Sequence, residues 1–340
     1  MKKYLNIILV LAIVLILIVA AVGAYWSLRL SKQSVIPNNL GEITYGWDEW
    51  PGILPYLVAQ EKGLFSANGL KVRMVKSETN SQLVSELING QIDFVGDITM
   101  VDVLKAQSQG NKLQIINVTD YSNGGDGIVA RKSIVSIADL KGKKVAVEQG
   151  SLSEKLLFYA LEKNNLKLQD VQRVSLPAAE AAQAFIRGEV DAVVTYDPGL
   201  SEAVAAGGVK IFSTALAPGL IIDVGVMRQD FIDSEPEKVK AVLRAYFQAL
   251  EYIKNNPEES YAIGIKYFNV SEQEFIGYLS GLQLVDLRGN LSAMSYTSGY
   301  ESLYGNGVLA NRYLRSIGAI GSDVDVVGVI RPEFVRILSR

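Results

Sequence analysis

From residue 42 onward the chain alternates short apolar runs with stretches whose apolar residues recur every three or four positions. Strand and helix following one another in this way mark an α/β protein. Glu42–Tyr45, Leu113–Val118 and Lys144–Val147 are predicted strands. Leu83–Asp97, LVSELINGQIDFVGD, reads as a helix, a turn at Asn89-Gly90 and a short apolar strand. Ala181–Asp197, AAQAFIRGEVDAVVTYD, repeats that order, with Gly188-Glu189-Val190-Asp191 standing where Gly90-Gln91-Ile92-Asp93 stood. Each copy follows a strand at a similar distance, 48 residues from Tyr45 to Asp93 and 44 from Val147 to Asp191. A repeat of this size predicts two similar lobes, each with its own sheet. Asp93 and Asp191 both follow a glycine turn at a strand start, so they are assigned to local turn amides rather than to a ligand.

Glu235–Tyr304 is mostly helical by pattern. Asp233-Ser234 and Pro236 signal a helix start. Val239, Val242, Leu243, Tyr246, Phe247, Leu250 and Ile253 then fall on one face, which reads as core. A last helix is predicted to open near Pro332, within Val326–Arg340.

At the other end, Lys2 and Lys3 precede a run from Tyr4 to Leu28 without one charge. About 20 apolar residues are enough to span a bilayer, and the leading lysines favour sending the remainder outside the cytoplasm. Residues 1–30 are therefore expected to be a signal peptide or membrane anchor. Val22-Gly23-Ala24 offers a small-residue cleavage site, but the run exceeds the usual signal core of about 7–15 residues. An uncleaved anchor contacting the membrane through residues 7–26 is the preferred reading. Residues 31–40, polar with one proline, read as a linker.

Composition removes whole classes of function. The 340 residues include no cysteine and no histidine, so Ser-His-Asp and Cys-His catalysis and the usual zinc ligand sets are unavailable. No enzymatic role, cofactor or metal is expected. Residues 1–40 carry four of the 33 basic residues and none of the 36 acidic ones, leaving 29 against 36, a net charge of −7. Without a basic block, nucleic acid is not an expected partner.

In open α/β sheets, ligands collect beyond the carboxyl ends of the strands. Those positions hold Gly46-Trp47-Asp48-Glu49-Trp50, then Gly96-Asp97-Ile98-Thr99, then Thr119–Asp126. They continue with Glu148–Ser153, with Thr195-Tyr196-Asp197-Pro198, and with Asp223, where the chain is expected to cross back. The candidate ligand-binding residues are Trp47, Asp48, Glu49, Trp50, Asp97, Thr99, Tyr121, Asp126, Gly150, Ser151, Ser153, Tyr196, Asp197 and Asp223. Some have structural roles open to them as well. Ser151-Leu152-Ser153-Glu154 matches a capping box. Asp48 and Glu49 can complement the dipole of a helix opening near Ile53, and Tyr196-Asp197-Pro198 can be an ordinary turn.

Four segments, in this order, resemble one family: GWDEWPGILPYLVAQEKGLFSANGLKV, DYSNGGDGIVAR, VAVEQGSLSEKLLFYALEKNNL and DAVVTYDPGLSEA. They are similar to the nitrate/sulfonate/taurine-type substrate-binding proteins of ABC importers, a group that includes binders of thiamine-precursor pyrimidines. The resemblance spans about residues 45–235. It implies a bilobal type II periplasmic-binding-protein fold, with 41–127 and 223–340 as lobe I and 128–222 as lobe II. It also implies that the loops named above line a cleft closing on a small solute by hinge motion. The implied partners are a permease and its ATPase, and a monomer outside the cytoplasmic membrane is expected. Some members place Trp-Glu-Pro where this chain has Tyr196-Asp197-Pro198, which keeps an aromatic and an acid in a site of different size. Pyrimidine synthesis on this fold depends on histidine, which is absent here. A membrane-anchored ligand-sensing receptor domain is the alternative role.

The candidate loops hold Asp48, Glu49, Asp97, Asp120, Asp126, Glu148, Asp197 and Asp223, but neither lysine nor arginine. Anions are normally met by arginine forks or dense N–H donors. Carboxylates beside Trp47, Trp50, Tyr121 and Tyr196 instead favour a cation or a donor-rich planar molecule. The expected solute is therefore an amine, guanidine or aminopyrimidine-like molecule first, and a sulfonate or nitrate-type anion second.

Overall fold

The computed structural model describes residues 39–339. The expected signal or anchor (1–30), its membrane-contacting stretch (7–26) and nearly all of the linker lie outside the described residues. Among the described residues, no helix is long and apolar enough to cross a membrane.

The strands form two sheets. The chain lays down β1 (Gly41–Trp47), β2 (Leu70–Lys76), β3 (Phe94–Thr99) and β4 (Leu113–Ser122) in the first. It crosses to the second for β5 (Asp126–Ala130), β6 (Lys144–Val147), β7 (Gln172–Ser175), β8 (Ala192–Tyr196) and β9 (Val209–Ser213). It then returns for β10 (Ile222–Arg228) and β11 (Leu282–Leu284). The spatial orders are β11-β4-β10-β3-β1-β2 and β7-β6-β8-β5-β9. In each sheet the first strand of a repeat pairs in parallel with the next two, β1 with β2 and β3, β6 with β7 and β8. An antiparallel strand then enters beside the third, β10 against β3 and β5 against β8. The internal repeat is thus visible as matched topology. The sheet changes over residues 123–125 and 214–221, while the expected lobe limits at 127/128 and 222/223 fall within β5 and β10.

The repeated acids finish these ladders. Asp93 accepts the Thr44 N–H at 2.8 Å and returns its own N–H to the Thr44 carbonyl at 2.9 Å. Asp191 does the same with Lys144, at 2.9 Å in both directions. Their role is structural, as expected, but the partner is the neighbouring strand rather than a local turn. β4 runs past its predicted end at Val118 because β10 and β11 pair with its polar residues 119–122, which no apolar pattern could mark. The predicted long helix is Pro236–Asn255, with Val239, Val242, Leu243, Tyr246 and Ile253 buried and Phe247 and Leu250 half-buried. The last helix is Pro332–Leu338, and β11 interrupts the otherwise helical region before Tyr304.

The two crossings are tied to their surroundings. Asn123 and Gly125 both donate their N–H to the Gly281 carbonyl at 2.8 Å. The Gly124 N–H donates to Thr214 Oγ1 at 2.8 Å, and the hydroxyls of Ser122 and Thr214 bond at 2.7 Å. Under the strand ends of the first sheet lies an aromatic stack: Tyr45 meets Phe94 at 4.8 Å and Tyr56 at 5.1 Å, and Tyr56 meets Tyr246 at 4.9 Å. Gly96 leaves room for it, since a Cβ there would stand 2.3 Å from the Tyr56 ring. Gly96→Ala should therefore cost about 1–3 kcal/mol by overpacking. Urea denaturation measures this, and a loss below about 0.5 kcal/mol, the range of ordinary surface changes, would show that the stack is not the constraint proposed.

Candidate functional site

The segment GWDEWPG leaves β1 and turns into the helix Leu54–Glu61 through a single 3₁₀ turn, Pro51–Ile53. Its side chains part company within four residues. Trp47 packs edge-on against Tyr267 at 5.7 Å, inside the first lobe. The Asp48 carboxylate accepts the Trp50 N–H at 2.9 Å, closing a local turn. Glu49 is exposed and pairs with Lys76 at 2.5 Å, which limits its worth because surface ion pairs are weak. Trp50 turns inward and donates its Nε1–H to Asp120 Oδ2 at 3.1 Å. Gly52 makes that contact possible: a Cβ there would lie 1.9 Å from the Asp120 oxygen.

Between the two sheets the strand ends face a cleft of about 720 Å³. One wall carries Asp48, Glu49 and Lys76–Thr79, and the other carries Ala178, Arg187, Tyr196, Pro198 and Gly199. Deeper lies a small chamber of about 20 Å³, which is roughly the space of one water. Asp48, Trp50, Asn80 and Asp97 line it from one side, Asp126, Leu152 and Tyr196 from the other, with Ile221 and Asp223 at the returning crossing. Trp50 and Tyr196 meet edge to face across it, ring centres 5.9 Å apart. The helices Asn80–Ile88 and Leu152–Lys163 both open at this chamber. Their first amides have no intrahelical acceptor, so both present positive dipole ends.

The electrostatics are unusual. Asp97, Asp120, Asp126 and Asp223 are each at most 3% exposed. Burial pushes Asp126 and Asp120 up to about 7. The Asp197 charge adds to the effect on Asp126, while the Ser122 hydroxyl opposes it. The Trp50 indole N–H holds Asp120 back, and the Asp126 charge raises it. Asp97 is raised well above the carboxylate range by burial and then by Asp48, and Asp223 likewise by burial and then by Asp120. Neither oxygen of Asp97 meets a protein donor. Lys155, fully buried in the first turn of its helix, bonds Asn306 Oδ1 at 3.3 Å. Burial pulls it down to about 8 against the opposing charges of Asp102, Asp223 and Asp126.

Of the candidate residues, the chamber gathers Asp48, Trp50, Asp97, Asp126, Tyr196 and Asp223, and the outer cleft adds Glu49. The others are used elsewhere. Thr99 forms a capping box with Asp102, and Ser151 caps its helix through the Ser153 N–H at 3.1 Å. Gly150 donates its N–H to Glu154 at 2.9 Å and takes φ +75°, a turn position. Asp197 accepts both the N–H and the hydroxyl of Ser201, at 3.0 and 2.7 Å, so its carboxylate is committed to a helix start. Tyr121 donates to the Glu301 carbonyl at 2.7 Å and faces a different groove. Trp47 is packed away from the chamber, and Ser153 is buried with an unpartnered hydroxyl outside the chamber lining. Sequence reading missed Asn80, Leu152, Ile221 and Lys155. The spacing of Leu152, Lys155, Phe158 and Tyr159 along one helix face was the available signal for a buried lysine.

A family model described as NMT1/THI5 like matches residues 50–260. A protein of Brucella abortus (strain 2308), whose name gives a binding role but no ligand, is 28% identical over 286 residues, 79% of this chain and 85% of its own. A Bacillus subtilis (strain 168) protein, provisionally named as aliphatic sulfonates-binding, is 29% identical over 263 residues, 74% of this chain and 75% of its own. The crystal structure of the periplasmic aliphatic sulphonate binding protein from Escherichia coli superposes with a TM-score of 0.71 at 22% identity. That match covers 87% of this chain and 99% of the other. The likeness establishes the fold as the two-lobed α/β arrangement of periplasmic binding proteins.

Two measurements follow from this geometry. Asp120 and Asp126 keep their protons up to about pH 7, whereas an unfolded aspartate loses its proton near 4. Between those values the native chain binds more protons than the unfolded one, so stability falls as pH rises. The Lys155 shift acts above about pH 8, and the acids lowered by surface pairing, such as Glu42 and Glu259, act below their ordinary values. With no histidine to titrate in between, the melting temperature should fall from pH 5 to pH 8, and less so in Asp126→Asn. A flat profile would mean these acids are not buried as described. Tryptophan emission should respond to a solute through Trp50: Trp50→Phe should lose the response and Trp47→Phe should keep it. The reverse pattern would exchange their assigned positions.

Proposed function

The chain belongs to the NMT1/THI5-like family, and from that premise we propose that it is the extracytoplasmic solute-binding component of an ABC importer. The observation that carries this reading is the cleft itself, whose inner chamber takes its walls from both lobes and from the returning crossing. A solute seated between Trp50 and Tyr196 touches both lobes at once, and it favours the closed arrangement by its differential affinity for it. The inner chamber admits roughly one water, so the lobes must part to take up anything larger. The closed form then presents its cargo to a permease powered by a separate ATPase. No catalytic role is proposed.

The solute we propose is an organic anion of the sulfonate type. This reverses the order read from the sequence, which set an amine, guanidine or aminopyrimidine-like solute first. Two of the similar proteins named above are named for aliphatic sulfonates, and neither name supports the amine. Counting every acid of the loops as a full negative charge was the weak step. Asp197 is bonded to Ser201, and acids buried as deeply as Asp97 and Asp223 favour their neutral form. The helix N-termini at Asn80 and Leu152 supply N–H groups and positive potential, which suit an anion. The cationic reading retains one observation in its favour: Asp97 offers two unpartnered oxygens at the chamber wall.

A thermal-shift screen of the full chain against ethanesulfonate, taurine, nitrate, guanidine, propylammonium and an aminopyrimidine separates these readings. A solute that binds only the folded state at about 100 times its Kd adds about 2.7 kcal/mol of stability. Sulfonates should raise the melting temperature and the nitrogenous cations should not. Stabilisation by the cations alone would reverse the assignment of charge while leaving the importer role standing.

A further inference from the structure

Asp97 sits at the end of β3, 3% exposed, and lines the inner chamber with neither oxygen bonded to a protein donor. A buried carboxylate in that position lacks the two or three donors that normally hold such a charge. The side-chain charges acting on it are all carboxylates and make ionisation worse; the Asp48 backbone N–H opposes them more weakly than burial and the Asp48 charge. Asp48 stands beside it from the loop after β1 and acts on it most strongly among the charges, with Asp120 of β4 behind. Asp223 enters from β10, and Asp126 faces the chamber from β5. The hydroxyl of Tyr45, close by on β1, is also without a partner. The cations at the cleft have other acids to answer: Lys155 acts on Asp102, Asp223 and Asp126, Lys76 is paired with Glu49, and Arg187 with Glu189. A hydrogen bond between the Asp48 and Asp97 carboxyls exists only when one of them carries a proton, because two carboxylates are both acceptors.

We propose that Asp97 enters the binding site as a neutral carboxylic acid and donates its O–H to an anionic oxygen of the solute, so that anion capture is coupled to a proton. The inference rests on the sulfonate reading above and explains how a chamber walled by acids accepts a negative charge. A carboxyl kept neutral by an apolar, like-charged surrounding is a strong donor to an oxyanion. The same group in its ionised form repels that oxyanion across a few ångström, in surroundings that screen poorly. One side chain thus admits the anion at low pH and rejects it once deprotonated. No bond is made or broken beyond the transfer of a proton from solvent to the Asp48–Asp97 pair.

The test is the pH dependence of affinity, measured by calorimetry with ethanesulfonate and taurine on the full chain between pH 5 and 9. Affinity should be level at the acid end and then weaken as pH rises, by up to about tenfold per pH unit for one coupled proton. Asp97→Asn, which keeps an N–H donor and cannot titrate, should bind at pH 6 within a few-fold of wild type and lose most of the slope. Asp97→Ala should bind weakly at every pH while its circular dichroism remains native. Sulfonate affinity that is independent of pH in the wild type, or a slope that survives unchanged in Asp97→Asn, overturns the donor role and leaves the anion reading intact. Affinity that strengthens with pH, seen with propylammonium or guanidine, marks a cation site. Failure of every sulfonate to bind at any pH removes the anion reading and this inference with it.

Discussion

Three neighbouring strands of one sheet deliver an aspartate to the same buried place, and the site follows from that constraint. β10 enters antiparallel between β3 and β4, which puts Asp223 directly opposite Asp120 on one side and opposite Thr99 on the other, two residues beyond Asp97. Like charges opposite one another across a ladder are unfavourable even at a surface. With burial added, full ionisation of the group is out of reach. Protons, the Trp50 indole N–H, the Asp48 backbone N–H and the buried amine of Lys155 relieve it. A sheet that carries such a load at its strand ends needs rigid support. The stack of Tyr45, Tyr56, Phe94 and Tyr246 directly beneath, with Gly96 yielding it space, supplies this.

The second lobe repeats the scaffold without repeating the load. β6, β7 and β8 copy the parallel trio of β1, β2 and β3, and Asp191 copies the strand-locking bonds of Asp93. What the second lobe presents to the cleft is different: Tyr196, the helix start at Leu152 and the acid Asp126. A duplicated frame with unlike facing surfaces is suited to gripping a solute that has two unlike ends. The crossings at 123–125 and 214–221 are bonded to each other through Ser122, Gly124 and Thr214. The two crossings are therefore a tied pair rather than two free linkers.

Much of this frame was legible in the chain, because hydrophobic period and turn residues act over a few positions. Lys144–Val147 was read as a strand at its observed limits, and the helix opening at Pro236 came from its start signal and its apolar face. Misses occurred where distant pairing overruled local polarity, as in β4 beyond Val118 and in β11. The candidate site was legible as a set of loops but not as a set of side chains. Thr99 and Ser151 sit in those loops and cap helices, a role announced for Ser151 alone, while Asp197 is tied to Ser201 of the helix that follows it.

By itself, the amino-acid sequence determined two repeated α/β units, their order of strand and helix, the loops at their carboxyl edges and the exclusion of histidine and cysteine chemistry. Those properties depend on neighbours within a turn or on composition. Tertiary structure alone decided that Trp50 faces the chamber while Trp47 turns away, and that Lys155 enters an acid cluster. It also decided that carboxyls counted as charges stand where ionisation is costly. Burial and the charge of facing groups set these outcomes, and both come from residues brought together from β1, β3, β4, β5 and β10 only when the two sheets have formed.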